Sequence, residues 1–277
     1  MDHSDTINAS RSRPHDDFSA AGIQSGLRTR LFGRTDLYFY DETGSTNDQA
    51  MVLAERHCPE GTVVIADCQS RGRGQKEREW HSPRGTGIYL SLVLRPDIPP
   101  QEALKITLLS AVAVAETLIQ LTALDVRIKW PNDIIINGKK ISGILSEVKT
   151  GKNSVNYVVV GVGINVTTRE EMFPETIRNI ATSVLIESGK EVSRAKIICS
   201  FLEMFELSYT AFLNGVCDGI LARWKELARI MGKRIRVEVD NNAVSGIVQY
   251  IDTNGFLFLM DDNGDIRRIC SGDVCFC

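Results

Sequence analysis

The sequence predicts an α+β (α/β) protein, a mixed-sheet domain followed by a small β-barrel, and three observations predict it. Strand-length apolar runs alternate with segments of helical periodicity between residues 37 and 229. Residues 155–164 are dense in valine, the texture of a strand buried on both faces. From Gly232 the pattern changes to short β runs at 233–239, 243–251, 255–260 and 265–269, separated by Asp/Asn/Gly turns as in a small barrel.

Taken in order, residues 1–24 are polar and aperiodic and are expected to be a flexible tail. Residues 37–40 read as a strand. Ser45-Thr46-Asn47-Asp48 reads as a helix start, because Ser and Asn side chains accept from the free N–H groups of a first turn. The helix over 47–56 has Ala50, Met51, Leu53 and Ala54 on its apolar face. Strands are predicted over 62–66 and 88–94, with a loop over 68–83 between them. The helix over 101–123 carries Leu104, Leu108, Ala111, Val112, Ala115 and Leu118 at helical spacing. Strand segments 125–130 and 133–136 are broken at Pro131, which cannot donate to a ladder. Asn137-Gly138 signals a hairpin turn, with 140–148 as the returning strand. Helices over 193–213 and 218–229 complete a domain expected to span 25–230, and the β domain takes 231–277.

Composition excludes several function classes. Of 277 residues, 43% are hydrophobic and 24% charged, ordinary values for a chain with a buried core. The net charge of −3 gives no basic field for nucleic acid or a membrane surface, so any phosphate must be met by a local cluster. The apolar stretch 104–124 is interrupted by Thr, Ser, Glu and Gln and does not read as a membrane span. The N-terminal segment, with Asp2, Asp5, Asp16 and Asp17, lacks the apolar centre of a secretory signal, and a cytoplasmic location is expected. Seven scattered cysteines include no CxxC pair, and Cys275 with Cys277 makes a poor zinc site, so free thiols and no metal centre are expected. The four histidines, His3, His15, His57 and His81, sit in no triad-like grouping.

Four segments carry chemistry. Between Arg71 and Glu79, four cations and two carboxylates leave a local +2. Gly72 and Gly74 there let backbone N–H groups approach an anion, Arg73 and Arg78 add charge, and Trp80 offers a stacking surface. Read alone, such a loop is more often merely solvated. Without a GK[ST] ending it is no Walker loop. In Lys129-Trp130-Pro131-Asn132-Asp133, polar groups cluster at a strand break, and the returning strand brings Lys139 or Lys140 beside them. Gly161-Val162-Gly163-Ile164-Asn165 ends the valine run; a GxG alone usually means tight packing, while Asn165 is a candidate polar contact. For Ser45-Thr46-Asn47, plain capping and ligand contact are equally open.

In this order, GSTND (44–48), QSRGRG (69–74), REWHSPRG (78–85), KWPND (129–133), KKISGIL (139–145) and GVGIN (161–165) resemble the biotin–protein ligases over residues 35–277. The resemblance implies a biotin/lipoate ligase-like catalytic domain followed by an SH3-like β-barrel. It implies a two-step ligase reaction with ATP and biotin as substrates and Mg²⁺ accompanying ATP. Biotinyl-5′-adenylate forms first, and biotin then passes to a lysine of a biotin carboxyl carrier protein or domain. It places Ser45, Thr46, Asn47, Gln69, Arg73, Gly74, Gln75, Lys140 and Gly143 around biotin. Arg78, Trp80, Asn132, Asp133, Gly163 and Asn165 go around the nucleotide, with Arg73, Lys129, Asp133 and Lys140 catalytic. For Asp133, proton acceptor and Mg²⁺ ligand both stay open. A ligase that also represses transcription carries an N-terminal DNA-binding domain; the short polar tail here predicts no specific DNA binding. Monomer and homodimer are not distinguished.

The loop departs from the family pattern GRGRRGR: Gln75 replaces the second arginine and Glu77 the third glycine. Gln75 brings hydrogen bonds but no charge, so a looser hold on the adenylate is expected, which Lys76 would offset and Glu77 would oppose. The rival readings are a lipoate or octanoyl ligase, disfavoured by KWPND and the GRG loop, and a non-catalytic interaction protein.

Overall fold

The structure, a computed structural model, describes residues 18–276 except 153, 240, 241 and 271. Its helices are α1 Ala20–Gly26, α2 Thr46–Glu55, α3 Ala103–Thr122, α4 Glu175–Arg178, α5 Val184–Ser188, α6 Arg194–Leu213 and α7 Asp218–Ala228. The first seven strands are β1 Leu37–Tyr40, β2 Val63–Ala66, β3 Gly87–Leu94, β4 Arg127–Lys129, β5 Asp133–Ile136, β6 Lys139–Thr150 and β7 Val155–Asn165. They form one sheet in the order β1-β2-β3-β7-β6-β5-β4, parallel between β1 and β2 and antiparallel elsewhere. The remaining five, β8 Arg234–Val239, β9 Asn242–Ile251, β10 Leu257–Met260, β11 Ile266–Ile269 and β12 Asp273–Phe276, form an antiparallel sheet in the order β11-β10-β9-β8-β12.

Two layers of helix cover the larger sheet. α2 crosses over between the parallel strands β1 and β2 and buries Ala50 and Ala54 against Val64, Val93 and Val159. α3 packs between the sheet and helices α6 and α7. This explains why it is apolar nearly all round: a helix covered on several sides needs no polar face. By length and hydropathy it would also pass for a membrane span, yet 67% of that window is buried in the protein. β3 and β7, at the centre of the sheet, are buried almost throughout, as the valine run predicts. At the β5–β6 turn, Asn137 (φ 51°) and Gly138 (φ 79°) both take the left-handed conformation that a two-residue hairpin demands.

Two differences from expectation have local causes. The predicted tail extends too far, because α1 begins inside it. Ser19 caps that helix by accepting from the Gly22 N–H at 3.0 Å, and Ile23 is fully buried. One buried residue in seven leaves almost no periodicity to detect. The rest of that expected tail, 1–17, lies outside the described residues, as does Cys277. The short helices α4 and α5 were not anticipated either; four and five residues are too few to show a 3.6-residue repeat.

The C-terminal sheet is seated on the larger domain. The Trp130 indole N–H donates to the Gly255 carbonyl at 3.2 Å, and the indole is 1% exposed. Gly255, at φ 88°, lies against Leu108 and Leu104 of α3 so closely that a Cβ there would overlap Leu108. Glycine is therefore required for both its conformation and its volume.

Candidate active site

A cavity of about 450 Å³ opens where α2, β3, β5, β6 and β7 converge. Every site residue predicted from the sequence lines it. Ser45, Thr46 and Asn47 come from the start of α2. Gln69, Arg73, Gly74, Gln75, Arg78 and Trp80 come from the loop after β2. Lys129, Asn132 and Asp133 lie at the β4–β5 break, Lys140 and Gly143 on β6, and Gly163 and Asn165 on β7.

One end of the cavity is a neutral hydrogen-bond ladder. Gln69 Oε1 accepts from the Thr46 backbone N–H at 2.8 Å and from its hydroxyl at 3.2 Å, while Gln69 Nε2 donates to Ser82 Oγ at 2.9 Å. Ser91 Oγ lies 2.8 Å from Thr46 Oγ1 and 2.6 Å from Asn47 Oδ1. The Asn47 amide is thereby oriented: its Nδ2 donates to Glu147 Oε2 at 2.7 Å and to the Leu145 carbonyl at 3.3 Å. Ser45 occupies the N-cap position but makes no side-chain capping bond, so plain capping does not account for it. Tyr89 is 1% exposed and donates to the Pro83 carbonyl at 2.9 Å; burial pushes its phenol up, so it remains a neutral donor.

The other end is cationic and aromatic. Lys140 Nζ is 2.6 Å from Asp133 Oδ1 and 5.4 Å from the centre of the Trp80 ring. Trp80 rests on a glycine floor. Gly143 and Gly163 are partners across β6 and β7, and a Cβ on Gly163 would overlap the indole nitrogen. A Cβ on Gly161 would likewise overlap the Asn47 amide. The GxG pair therefore acts by omission, making room for two side chains of the site. Trp80 Nε1 is buried with no hydrogen-bond partner among the described residues. Asn132 and Asn165 line the cavity, yet each ties backbone together: Asn132 Nδ2 donates to the Ile144 carbonyl at 2.5 Å and Asn165 Nδ2 to the Thr182 carbonyl at 3.0 Å.

The loop between β2 and β3 is built into the fold rather than merely solvated. Arg71 N donates to the Gly44 carbonyl at 2.8 Å, Ser70 N to Thr43 at 2.9 Å and Trp80 N to Gly72 at 2.9 Å. The first two bonds zip the start of this loop onto the segment before α2, 27 residues earlier in sequence, and the third closes the loop on itself. Arg73 Nη2 lies 2.9 Å from Asp48 and 2.7 Å from Glu147, so its charge is already partly matched by carboxylates.

Comparison with known proteins agrees with this geometry. Residues 40–165 match the Biotin/lipoate A/B protein ligase family, and 230–276 match the Biotin protein ligase C terminal domain. The chain is 39% identical over 256 residues to the Bifunctional ligase/repressor BirA of Bacillus subtilis, covering 92% of this chain and 78% of that one. The chain belongs to the biotin protein ligases. It is also 33% identical to the Biotin--[acetyl-CoA-carboxylase] ligase of Mycobacterium tuberculosis, covering 91% of this chain and 94% of that protein. The biotin protein ligase of Aquifex aeolicus, solved in complex with biotin and ATP, superposes with a TM-score of 0.73 at 27% identity, covering 87% of this chain and 98% of that one.

Within this biotin protein ligase, two walls of the cavity escaped the motifs. One is the segment 172–181, which contributes Phe173, Ile177, Ile180 and Ala181. Its position is fixed by bonds from Lys140 N to the Ile180 carbonyl (2.7 Å) and from Thr182 N to the Lys140 carbonyl (2.9 Å). The other wall is the C-terminal sheet, through Glu238 on β8 and Cys275 on β12. No local sequence signal marks either, since both depend on contacts formed only after folding. The departures in the loop also resolve. Gln75 lines the cavity, whereas Lys76 and Glu77 do not, and Lys76 Nζ reaches the Glu238 carbonyl at 3.1 Å. Lys76 therefore does not supply the missing charge to the cavity as expected. Glu77, where the family pattern has glycine, holds φ 59°. In that left-handed region a side chain costs roughly 1–2 kcal/mol and glycine nothing.

Proposed function

We propose that this chain is an ATP-dependent biotin–protein ligase of the cytoplasm. In this reading the biotin carboxylate attacks the α-phosphorus of ATP, giving biotinyl-5′-adenylate and releasing pyrophosphate. The neutral ε-amine of a lysine on a biotin carboxyl carrier domain then attacks the acyl carbon; AMP leaves, the amine loses a proton, and an amide remains. The observation that carries the reading is one cavity with two chemically distinct poles. A hydrogen-bonding end (Ser45, Thr46, Asn47, Gln69) suits the donors and acceptor of a ureido ring. A cationic, aromatic end (Lys129, Lys140, Arg78, Trp80) suits a nucleotide and its phosphates. About 450 Å³ is within the range of small-molecule sites.

In this reading Lys140 and Lys129, which line the cavity, stabilise the charge gathered at the α-phosphoryl group, and Trp80 packs against the adenylate. Arg73 ties the loop to α2 and β6 as well as facing the cavity. Mg²⁺ fits as a companion of ATP: Asp133 supplies one carboxylate at the cationic end, and Mg²⁺ is ordinarily held by one or two carboxylates plus substrate phosphates. When bound it neutralises phosphate charge. A lipoyl substrate fits the hydrogen-bonding end poorly, since a dithiolane would leave the Gln69–Thr46–Asn47 ladder facing apolar sulfur.

The deciding experiment is transfer of labelled biotin to a carrier domain, which should require ATP and should not occur with lipoate. ATP-independent labelling, or lipoate used as well as biotin, would defeat the proposal. Within the reading, Gln75→Arg should slow the release of preformed adenylate about ten-fold, the worth of one hydrogen bond between charged groups. An unchanged rate measured by rapid filtration would show that position 75 does not contribute to retention.

A further inference from the structure

The contact between Lys76 and the C-terminal sheet carries more than its length suggests. Two consecutive non-glycine residues, Lys76 (φ 54°) and Glu77 (φ 59°), stand in the left-handed region at the crest of the anion-binding loop. Strained backbone of this kind persists only where the surroundings hold it. On one side the holding groups are Asp48 and Glu147, which grip Arg73. On the other side the Lys76 ammonium donates across the domain boundary to the Glu238 carbonyl of β8, at 3.1 Å. Between these two anchors lies Gln75, which faces the cavity.

The far anchor is itself fixed. β8 is paired on both sides, to β9 and to β12, and the sheet is seated on α3 and on the buried Trp130 through Gly255. Glu238 and Cys275 of that sheet also line the cavity. The C-terminal domain is therefore both a wall of the site and the support of the loop that closes on it.

We infer that Lys76 is a positioning residue, a latch by which the C-terminal domain holds the Gly72–Arg78 loop closed over the bound intermediate. The inference rests on the ligase reading and deepens it. In a loop with glutamine at 75, closure relies less on charge inside the cavity and more on this tie outside it. Losing the tie should speed escape of the activated intermediate rather than impair its chemistry. Conversely, a substitution that keeps a long cationic donor at 76 should preserve retention.

The test uses the full chain, with Lys76→Met and Lys76→Arg beside wild type. Biotin-dependent ATP–pyrophosphate exchange is measured first, then the dissociation rate of preformed biotinyl-adenylate, then the thermal unfolding midpoint. The latch predicts about ten-fold faster dissociation in Lys76→Met, the loss of one hydrogen bond from a charged donor. Lys76→Arg should stay within about two-fold of wild type, since its guanidinium can reach the same carbonyl. Dissociation at the wild-type rate in Lys76→Met would overturn the latch while leaving the ligase reading standing. A lowered unfolding midpoint with Lys76→Arg equally fast would assign Lys76 to general stability and overturn it too. Absence of exchange in the wild type would instead remove the ligase reading, and the latch with it.

Discussion

Lys140→Met should lower the rate of adenylate formation by roughly 10²–10³-fold, the usual consequence of removing one preorganised electrostatic donor from a reacting centre. Methionine keeps the apolar stem over Trp80 and removes only the charge. The position of that charge is unusually well determined. Lys140 follows the tight Asn137-Gly138 turn, and its backbone is bonded on both its N–H and its carbonyl to the segment 180–182. Its ammonium is held by Asp133 at 2.6 Å and lies over the Trp80 ring. Pyrophosphate exchange, which reports the first step alone, should show the loss mainly in kcat, because the hydrogen-bonding end proposed for the biotin ring lies away from Lys140. A variant that exchanges at near wild-type rate would remove Lys140 from the chemistry.

Asp133 separates two ideas in the same experiment. If it orients Lys140, as the 2.6 Å pair favours, or supplies the carboxylate for Mg²⁺, Asp133→Asn should impair adenylate formation. If it serves as the base for the acceptor lysine, the adenylate should form normally and fail to transfer. The paired arrangement makes the first outcome the expected one, and normal exchange with failed transfer would reverse the assignment.

What the sequence could reveal about this site was the part carried by short, contiguous motifs. The loop before α2, the GRG loop, the KWPND break and the GVGIN strand end each contain their chemistry locally, and folding only had to bring them together. What it could not reveal was side-chain room and cross-domain contact. The meaning of Gly161 and Gly163 lies in Asn47 and Trp80, 114 and 83 residues earlier in the chain. Glu147 was passed over because a glutamate in a strand has no signature; it matters through Asn47 and Arg73, which both reach it. Segment 172–181 and Glu238 were missed for the same reason, since neither has periodicity or composition that points to a cavity. In the fold, long elements such as α3, α6 and β7 were legible because repeated apolar spacing accumulates along them. α1, α4 and α5 were not, having at most seven residues each.

The glycine floor supplies the other large expected effect. Gly163→Ala adds one methyl to a central strand whose backbone conformation any residue can adopt, so the cost arises entirely from what the methyl meets. The indole of Trp80 occupies that space, and it cannot retreat without losing its contacts with Gly143 and the Lys140 ammonium. Adenylate formation should fall about 100-fold as the platform for the nucleotide is displaced, and overpacking should lower stability by roughly 1–3 kcal/mol. A double-mutant cycle decides whether Trp80 is the cause. In a Trp80→Ala background the added methyl has room, so Gly163→Ala should then cost little further activity or stability. If the two substitutions instead reduced activity additively, Gly163 would act through β7 itself, and the view of the GxG pair as space reserved for site side chains would fail.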